Sequence, residues 1–323
     1  MDVTDLASRI LSYGEICDNC LGRFFGKLSH GLSNQERGRS LRVAVALQEN
    51  RPYSEARSCW VCGGLLSRVA EWAGRVSAAL SGLEYEKFAI GTHVPPLAAE
   101  SEEIVWSDLQ LAHAEPLKSE MNREVGKAVA RLTGKTADPA HPDVIAILDI
   151  AGETVEVQVN PVFFCGRYCK LERGLPQTHW YCRACRGAGC EKCGFSGRQY
   201  PDSVEEIIGR PAIRLFSAEN AILHGSGRED IDALMIGTGR PFVMEVVAPR
   251  HRSVDLEYLE GEINREAGGR VTVSLERWGN RKDVEIIKSA KGYKEYRILV
   301  EIEGPYTQDE LQSAIRALKG AKV

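Results

Sequence analysis

An α+β, multidomain fold is what this 323-residue chain predicts, and three features carry the prediction. Eight of its ten cysteines form four Cys-x-x-Cys pairs, an apolar stripe at helical spacing over 117–132 precedes two strand-like runs, and helix and strand patterns alternate from about residue 201. With 43% hydrophobic and 27% charged residues, the composition suits two or three domains with a sizeable core. No apolar run approaches the roughly 20 residues that cross a bilayer, and the start at Met1–Leu6 lacks the basic and apolar regions of a signal peptide. A cytoplasmic location and no membrane partner are expected. The net charge is only -4, so a nucleic-acid surface has to be local. Residues 161–200 offer one, with seven Lys or Arg against two Glu.

Residues 1–72 are expected to be helical, from the apolar run Leu41 to Leu47 and the spacing of Leu65, Leu66, Val69 and Trp72. Here Cys17, Cys20, Cys59 and Cys62 can turn four sulfurs toward one tetrahedral zinc. Phe24 and Phe25 belong in the core rather than against a base. Residues 73–178 form an α/β unit. Pro116 opens and Gly134 closes a helix whose Leu117, Met121, Val125, Ala128, Val129 and Leu132 share a face, and Ala151–Glu153 joins the runs 144–150 and 154–159 as a hairpin. Residues 179–200 form a zinc knuckle, with Cys182, Cys185, Cys190 and Cys193 as a tighter second ligand set. Tetrathiolate zinc is coordinatively closed, so one or two structural ions that activate no water are the expected cofactors. Cys165 and Cys169 lack a second pair and are expected to be packed thiols. Over 201–323, Ser203 with Glu206 marks a helix start, Tyr296–Ile302 reads as a buried strand, and Thr307 with Glu310 caps a last helix whose apolar face is Leu311, Ala314, Ile315 and Leu318.

The most informative stretch is 224–242, which places acids and arginines on a glycine-bent loop ahead of the strand-like Pro241–Val247. Asp230, between Arg228 and Arg240, is the candidate nucleophile or general base, and the guanidiniums can hold phosphates beside it. Farther back, Arg167, Lys170 and Arg173 interleave with Tyr168 and Trp180, a pattern that combines phosphate pairing with base or ribose stacking.

Gly227–Asp232 followed by Gly237–Phe242 resembles the catalytic-aspartate motif of the archaeal and eukaryotic tRNA pseudouridine synthase that carries a THUMP domain, the tenth numbered pseudouridine synthase family (tRNA pseudouridine-54/55 synthase). Cys17–Gly26 with Gly31–Arg39 resembles that family's amino-terminal zinc segment, Glu115–Gly126 a segment of its RNA-binding THUMP module, Phe164–Trp180 its finger loop, and Val254–Glu260 the helix after its aspartate strand. The resemblance implies that Asp230 is the essential aspartate and that Tyr296, heading a Tyr-Arg strand, stacks on the target base. It makes Arg167, Lys170 and Arg173 contacts to substrate RNA. The implied activity is isomerisation of T-loop uridines 54 and/or 55 in tRNA, with no organic cofactor. The implied architecture is a zinc-binding helical segment over 1–72, a THUMP-like domain over 73–178, the knuckle over 179–200, and over 201–323 the N-terminal part of a synthase α/β domain with a mainly antiparallel central sheet.

Two departures stand out. The family continues beyond the equivalent of Val323 with further strands and a Lys or Arg that pairs with the aspartate, and it usually has Val-Arg where this chain has Ala233-Leu234. A separate C-terminal polypeptide completing the catalytic domain is therefore one expected partner besides tRNA. A second reading stands beside the enzyme: a zinc-stabilised tRNA-binding protein, inactive or one subunit of a split synthase. A zinc hydrolase or deaminase needs an open metal position with a nearby acid, and no His-x-Glu lies near a Cys-x-x-Cys pair.

Overall fold

In the computed structural model, which describes residues 2–290 and 295–319, four α-helices precede the first strand: α1 (Val3–Leu11), α2 (Asp18–Arg23), α3 (Asn34–Gln48) and α4 (Val69–Ala79). Ser33 and Glu36 close a reciprocal cap at the start of α3. Helices α2 and α3 meet backbone to backbone. A Cβ on Gly22 would lie 1.8 Å from the Asn34 carbonyl oxygen, and one on Gly38 1.8 Å from that of Asp18. Neither carbonyl is a flexible side chain that can give way, so Gly38→Ala is expected to destabilise this segment by about 3 kcal/mol or more, read as a fall in thermal unfolding midpoint. Phe24 and Phe25 are buried against Ile10, Val45 and Trp72, as expected of core residues.

Next come β1 (Lys87–His93), α5 (Pro96–Leu109), α6 (Leu117–Thr133), β2 (Thr136–Ala137), β3 (Val144–Asp149) and β4 (Thr154–Val159). The sheet order is β2-β1-β3-β4, with β1 parallel to both β2 and β3, and β4 antiparallel to β3 across the expected hairpin. Helix α6 starts after Pro116 and stops at a left-handed Gly134. Its Leu117, Met121, Val125 and Val129 are fully buried, whereas Leu132, in the last turn, is 61% exposed.

Glu120, on the same buried face, accepts a hydrogen bond from Asn19. Burial pushes its carboxyl up to about 7 from 4.5, against the opposing pull of Asn19 and Arg23. Between those two values the folded chain binds more protons than the unfolded one, so this residue's contribution to stability falls as pH rises through the window. Glu120→Gln removes the titration and is expected to stabilise the chain by roughly 3 kcal/mol at pH 8 but scarcely at pH 4, as checked by urea unfolding at both values.

The second sheet is built from β5 (Val162–Lys170), β6 (Asn220–Gly225), β7 (Met235–Val247) and β8 (Val271–Gly279), in the order β6-β7-β5-β8 with every pairing antiparallel. Helices α7 (Val204–Phe216) and α8 (Leu256–Ala267) cover one face around Phe164, Phe242 and Met244. Helix α9 (Arg281–Ser289) covers the other, with Val284 and Ile287 against Phe163, Cys165 and Val243. Ser203 caps α7 as expected. Because β5 pairs here and not with β4, the chain passes from the first sheet to the second at residues 160–161, and Arg167 and Lys170 lie on a strand of the second sheet. Among the described residues, no helix is long and apolar enough to cross a membrane.

Residues Met1–Ser289 form one unit and Ala290–Val323 another. In the second, α10 (Gln308–Leu318) carries the expected Thr307–Glu310 capping box. The expected strand Tyr296–Ile302 does not form: residues 295–303 have no regular structure, and Tyr296 and Leu299 are 69% and 98% exposed. A strand needs a hydrogen-bonded neighbour, and the described residues of this unit contain none.

Candidate active site

The β6–β7 hairpin carries the loop 226–234, with Asp230 exposed near its middle. Strand β5 holds that loop from below. Counting by twos from Phe164 puts Tyr168 and Lys170 on the face packed by α7 and α8, and both are fully buried. The Lys170 ammonium donates to the carbonyl oxygens of Leu175, Asp230 and Ile231, each at 2.9 Å. Those are all three of its donors. Burial holds its pKa below the ordinary lysine value, against the opposing attraction of the Glu229 charge.

A second set of bonds grips the residue before Asp230. Glu229 is buried and accepts from the Tyr168 hydroxyl, 2.9 Å from both carboxylate oxygens. Gln177 donates to the Tyr168 oxygen at 2.8 Å and to the Gly227 carbonyl at 3.0 Å. Arg240, also buried, pairs its Nε with Glu229 at 2.9 Å and donates from Nη1 to the Ser226 carbonyl at 2.6 Å. Burial, and then the Glu229 charge, push the Tyr168 phenol well above its usual range, so it stays a hydrogen-bond donor. At Gly239, φ is +72° and a Cβ would sit 2.7 Å from the Tyr168 carbonyl oxygen, so glycine is required where β7 passes β5. The result is one exposed acid on a backbone held at both sides.

Several residues expected at an RNA surface have other work. Lys170 and Arg240 lie inside and hold the loop; Tyr168, expected to stack on a base or ribose, is core. Arg228 lies over the Trp180 ring, 5.2 Å from its centroid. Arg167 donates to the carbonyls of Thr238 (2.6 Å) and Gly239 (3.0 Å), and Arg173 to that of Asp232. Arg173 and Arg228 are exposed and Arg167 is partly so, and a guanidinium has five N–H groups, so each of the three retains donors for a phosphate. Glu229 and Gln177 were not singled out from the sequence, although the period-two count along β5 marks an inward lysine that needs acceptors. Tyr296 lies in the separate unit Ala290–Val323.

The cysteines gather as two tetrads, Cys17, Cys20, Cys59, Cys62 and Cys182, Cys185, Cys190, Cys193, with all sulfurs of each within 4.8 Å. A tetrahedral ion with metal–sulfur bonds of about 2.3 Å needs sulfurs about 3.8 Å apart. The observed separations are 3.9 Å for Cys17–Cys62, 4.0 Å for Cys182–Cys190, 3.8 Å for Cys185–Cys193 and 3.7 Å for Cys190–Cys193. Both tetrads therefore fit a metal ion. In the second, the backbone N–H of Cys190 brings the Cys193 thiol down to about 6, which favours the thiolate that a metal requires. Cys165 is buried, as expected of a packed thiol, and Cys169 is partly buried.

Residues 163–323 match the family model described as Pus10, C-terminal, and residues 72–149 the one described as Pus10 THUMP domain, archaeal. Curated relatives named tRNA pseudouridine synthase Pus10 include that of Methanothrix thermoacetophila, 42% identical over 346 residues that cover 99% of this chain and 76% of the relative. The Halorubrum lacusprofundi protein is 42% identical over 333 residues, covering 100% and 78%. The Pyrococcus furiosus protein is 35% identical over 321 residues, covering 99% and 77%. These relatives lend no support to a separate polypeptide as partner.

Proposed function

Because the chain belongs to the Pus10 family of tRNA pseudouridine synthases, we propose that Asp230 is the carboxylate that acts on the ribose of a T-loop uridine. The reaction breaks the bond from C1′ to N1 of the base, rejoins C1′ to C5, moves the C5 proton away and returns one to N1. Atoms and electrons balance without an oxidant or a group donor, so no organic cofactor is required. Asp230 acts either at C1′ or on the 2′ proton, and either role needs an ionised side chain at a fixed place.

The observation that carries this reading is the contrast between an exposed Asp230 and the buried groups holding its backbone, the Lys170 ammonium and the Glu229–Arg240–Tyr168 set. Preorganisation of this kind places a reacting group without restricting substrate access. A loop uridine must leave its stack to reach the carboxylate, at a cost of a few kcal/mol. Arg173 and Arg228 lie at this loop and Arg167 against the start of β7 beside it, and in this reading they offset that cost through phosphate contacts. Incubating the purified chain with unmodified tRNA and mapping pseudouridine tests the reading. Product at position 54 or 55 supports it, and binding without product favours an inactive tRNA-binding protein.

Each tetrad holds one structural zinc ion in this reading, its four thiolates leaving no position for water. Two equivalents of metal per chain are expected by elemental analysis. Cys185→Ser is expected to lose one of them and loosen the knuckle, because metal-binding free energy in such a site is folding free energy.

A further inference from the structure

The knuckle 181–198 presents to solvent what a folded segment usually hides. Tyr181 and Phe195 are 65% and 74% exposed. Phe195 and Arg186 occupy the left-handed backbone region, at φ +62° and +52°, which bulky side chains adopt only where the surroundings force it. Here the forcing element is the tetrad. The Cys193 sulfur accepts from the N–H groups of Cys190 and Gly197, both at 3.3 Å, and Cys182 donates to the Gly197 carbonyl at 2.7 Å, so the turn at Phe195 is pinned on either side. Tyr181 is held as well. Its ring packs edge-on to His179, with centroids 4.6 Å apart, and a Cβ on Gly187 would come within 2.8 Å of it. A packed Tyr181 ring and a Phe195 on fixed backbone are thereby presented at an exposed surface.

Charge points to what they receive. Arg183, Arg186 and Lys192 are exposed and form no ion pair among the described residues, and Glu191 is the one acid in the segment. The stem of the knuckle also runs into the candidate site: Trp180 precedes Tyr181 and carries Arg228 over its ring, two residues from Asp230. Preset rings with unpaired cations beside them suit unstacked bases and their phosphates, not a neutral protein surface.

We infer that the knuckle is a stacking platform for the unpaired tRNA strand adjoining the target nucleotide, with Tyr181 and Phe195 against bases and Arg183 and Arg186 on phosphates. The inference rests on the reading of the chain as a tRNA-modifying enzyme. It adds a strand-binding surface outside the catalytic loop, assembled by a metal that takes no part in the chemistry.

The test uses the full chain with unmodified tRNA. Tyr181→Ala with Phe195→Ala is expected to weaken tRNA binding about 10- to 100-fold and raise KM in step, with kcat at saturating tRNA unchanged and the metal content intact. Tyr181→Phe is expected to bind as the wild type does. Independently, Arg183→Ser with Arg186→Ser is expected to reduce the slope of log affinity against log salt by about 1 to 2. Unchanged affinity and salt slope in variants that keep both metal equivalents would overturn the platform. So would a dimer that the same substitutions dissolve without touching tRNA affinity, since the patch would then join copies of the chain. A wild-type chain that neither binds nor modifies tRNA sinks the functional reading itself, a result distinct from both.

Discussion

Lys170→Met is expected to lower kcat for pseudouridine formation by roughly 10²-fold per folded molecule, and to destabilise the chain by about 4 kcal/mol, while tRNA affinity changes little. The two effects have separate causes. Methionine fills the space of the lysine stem but leaves the carbonyls of Leu175, Asp230 and Ile231 without the donor that now meets all three, and each buried acceptor left unmet costs about 1–3 kcal/mol. The catalytic loss follows from geometry: a displacement of about 1 Å in a positioned group is enough for a hundredfold loss. Arginine is not expected to rescue, because its flat fork does not converge on three oxygens as an ammonium does. Turnover measured well below the unfolding midpoint separates the positional effect from simple unfolding. A variant with wild-type kcat would show that the lysine serves stability alone.

How much of this was legible depended on whether the signal was local. The Pro116–Gly134 helix, the hairpin at Ala151–Glu153, the Ser203 and Thr307 caps and both cysteine tetrads are set by residues within one element or one spacing rule, and each appears where the sequence puts it. The Asp230 loop was legible in the same way, from its glycines and its match to a family motif. The roles of the cations around it were not. Lys170, Arg173 and Arg240 look alike in a basic loop, and only the register of β5 against β7 and β8 sends Lys170 and Arg240 inward while Arg173 stays out. Tyr296–Ile302 failed for a related reason, since alternation describes a strand but does not supply its neighbour. The passage from one sheet to the other is marked only by Asn160-Pro161 between β4 and β5, a short interruption that a hairpin turn would show equally well.

Asp230→Asn is expected to abolish pseudouridine formation, a loss of at least about 10³-fold, of the kind seen when a reacting side chain is removed. The amide matches the carboxylate in size and sits on an exposed loop position, so folding, metal content and tRNA affinity are all expected to hold. What it loses is the negative charge, and with it both roles open to the residue, attack at C1′ and capture of the 2′ proton. The most direct measurement is therefore a single-turnover assay with saturating unmodified tRNA, run on the wild type and on Asp230→Asn, with pseudouridine mapped at each T-loop position and tRNA affinity measured in parallel. Product from the wild type, none from the variant and equal affinity is the predicted result; pseudouridine formed by the variant at the wild-type rate would contradict the assignment of Asp230.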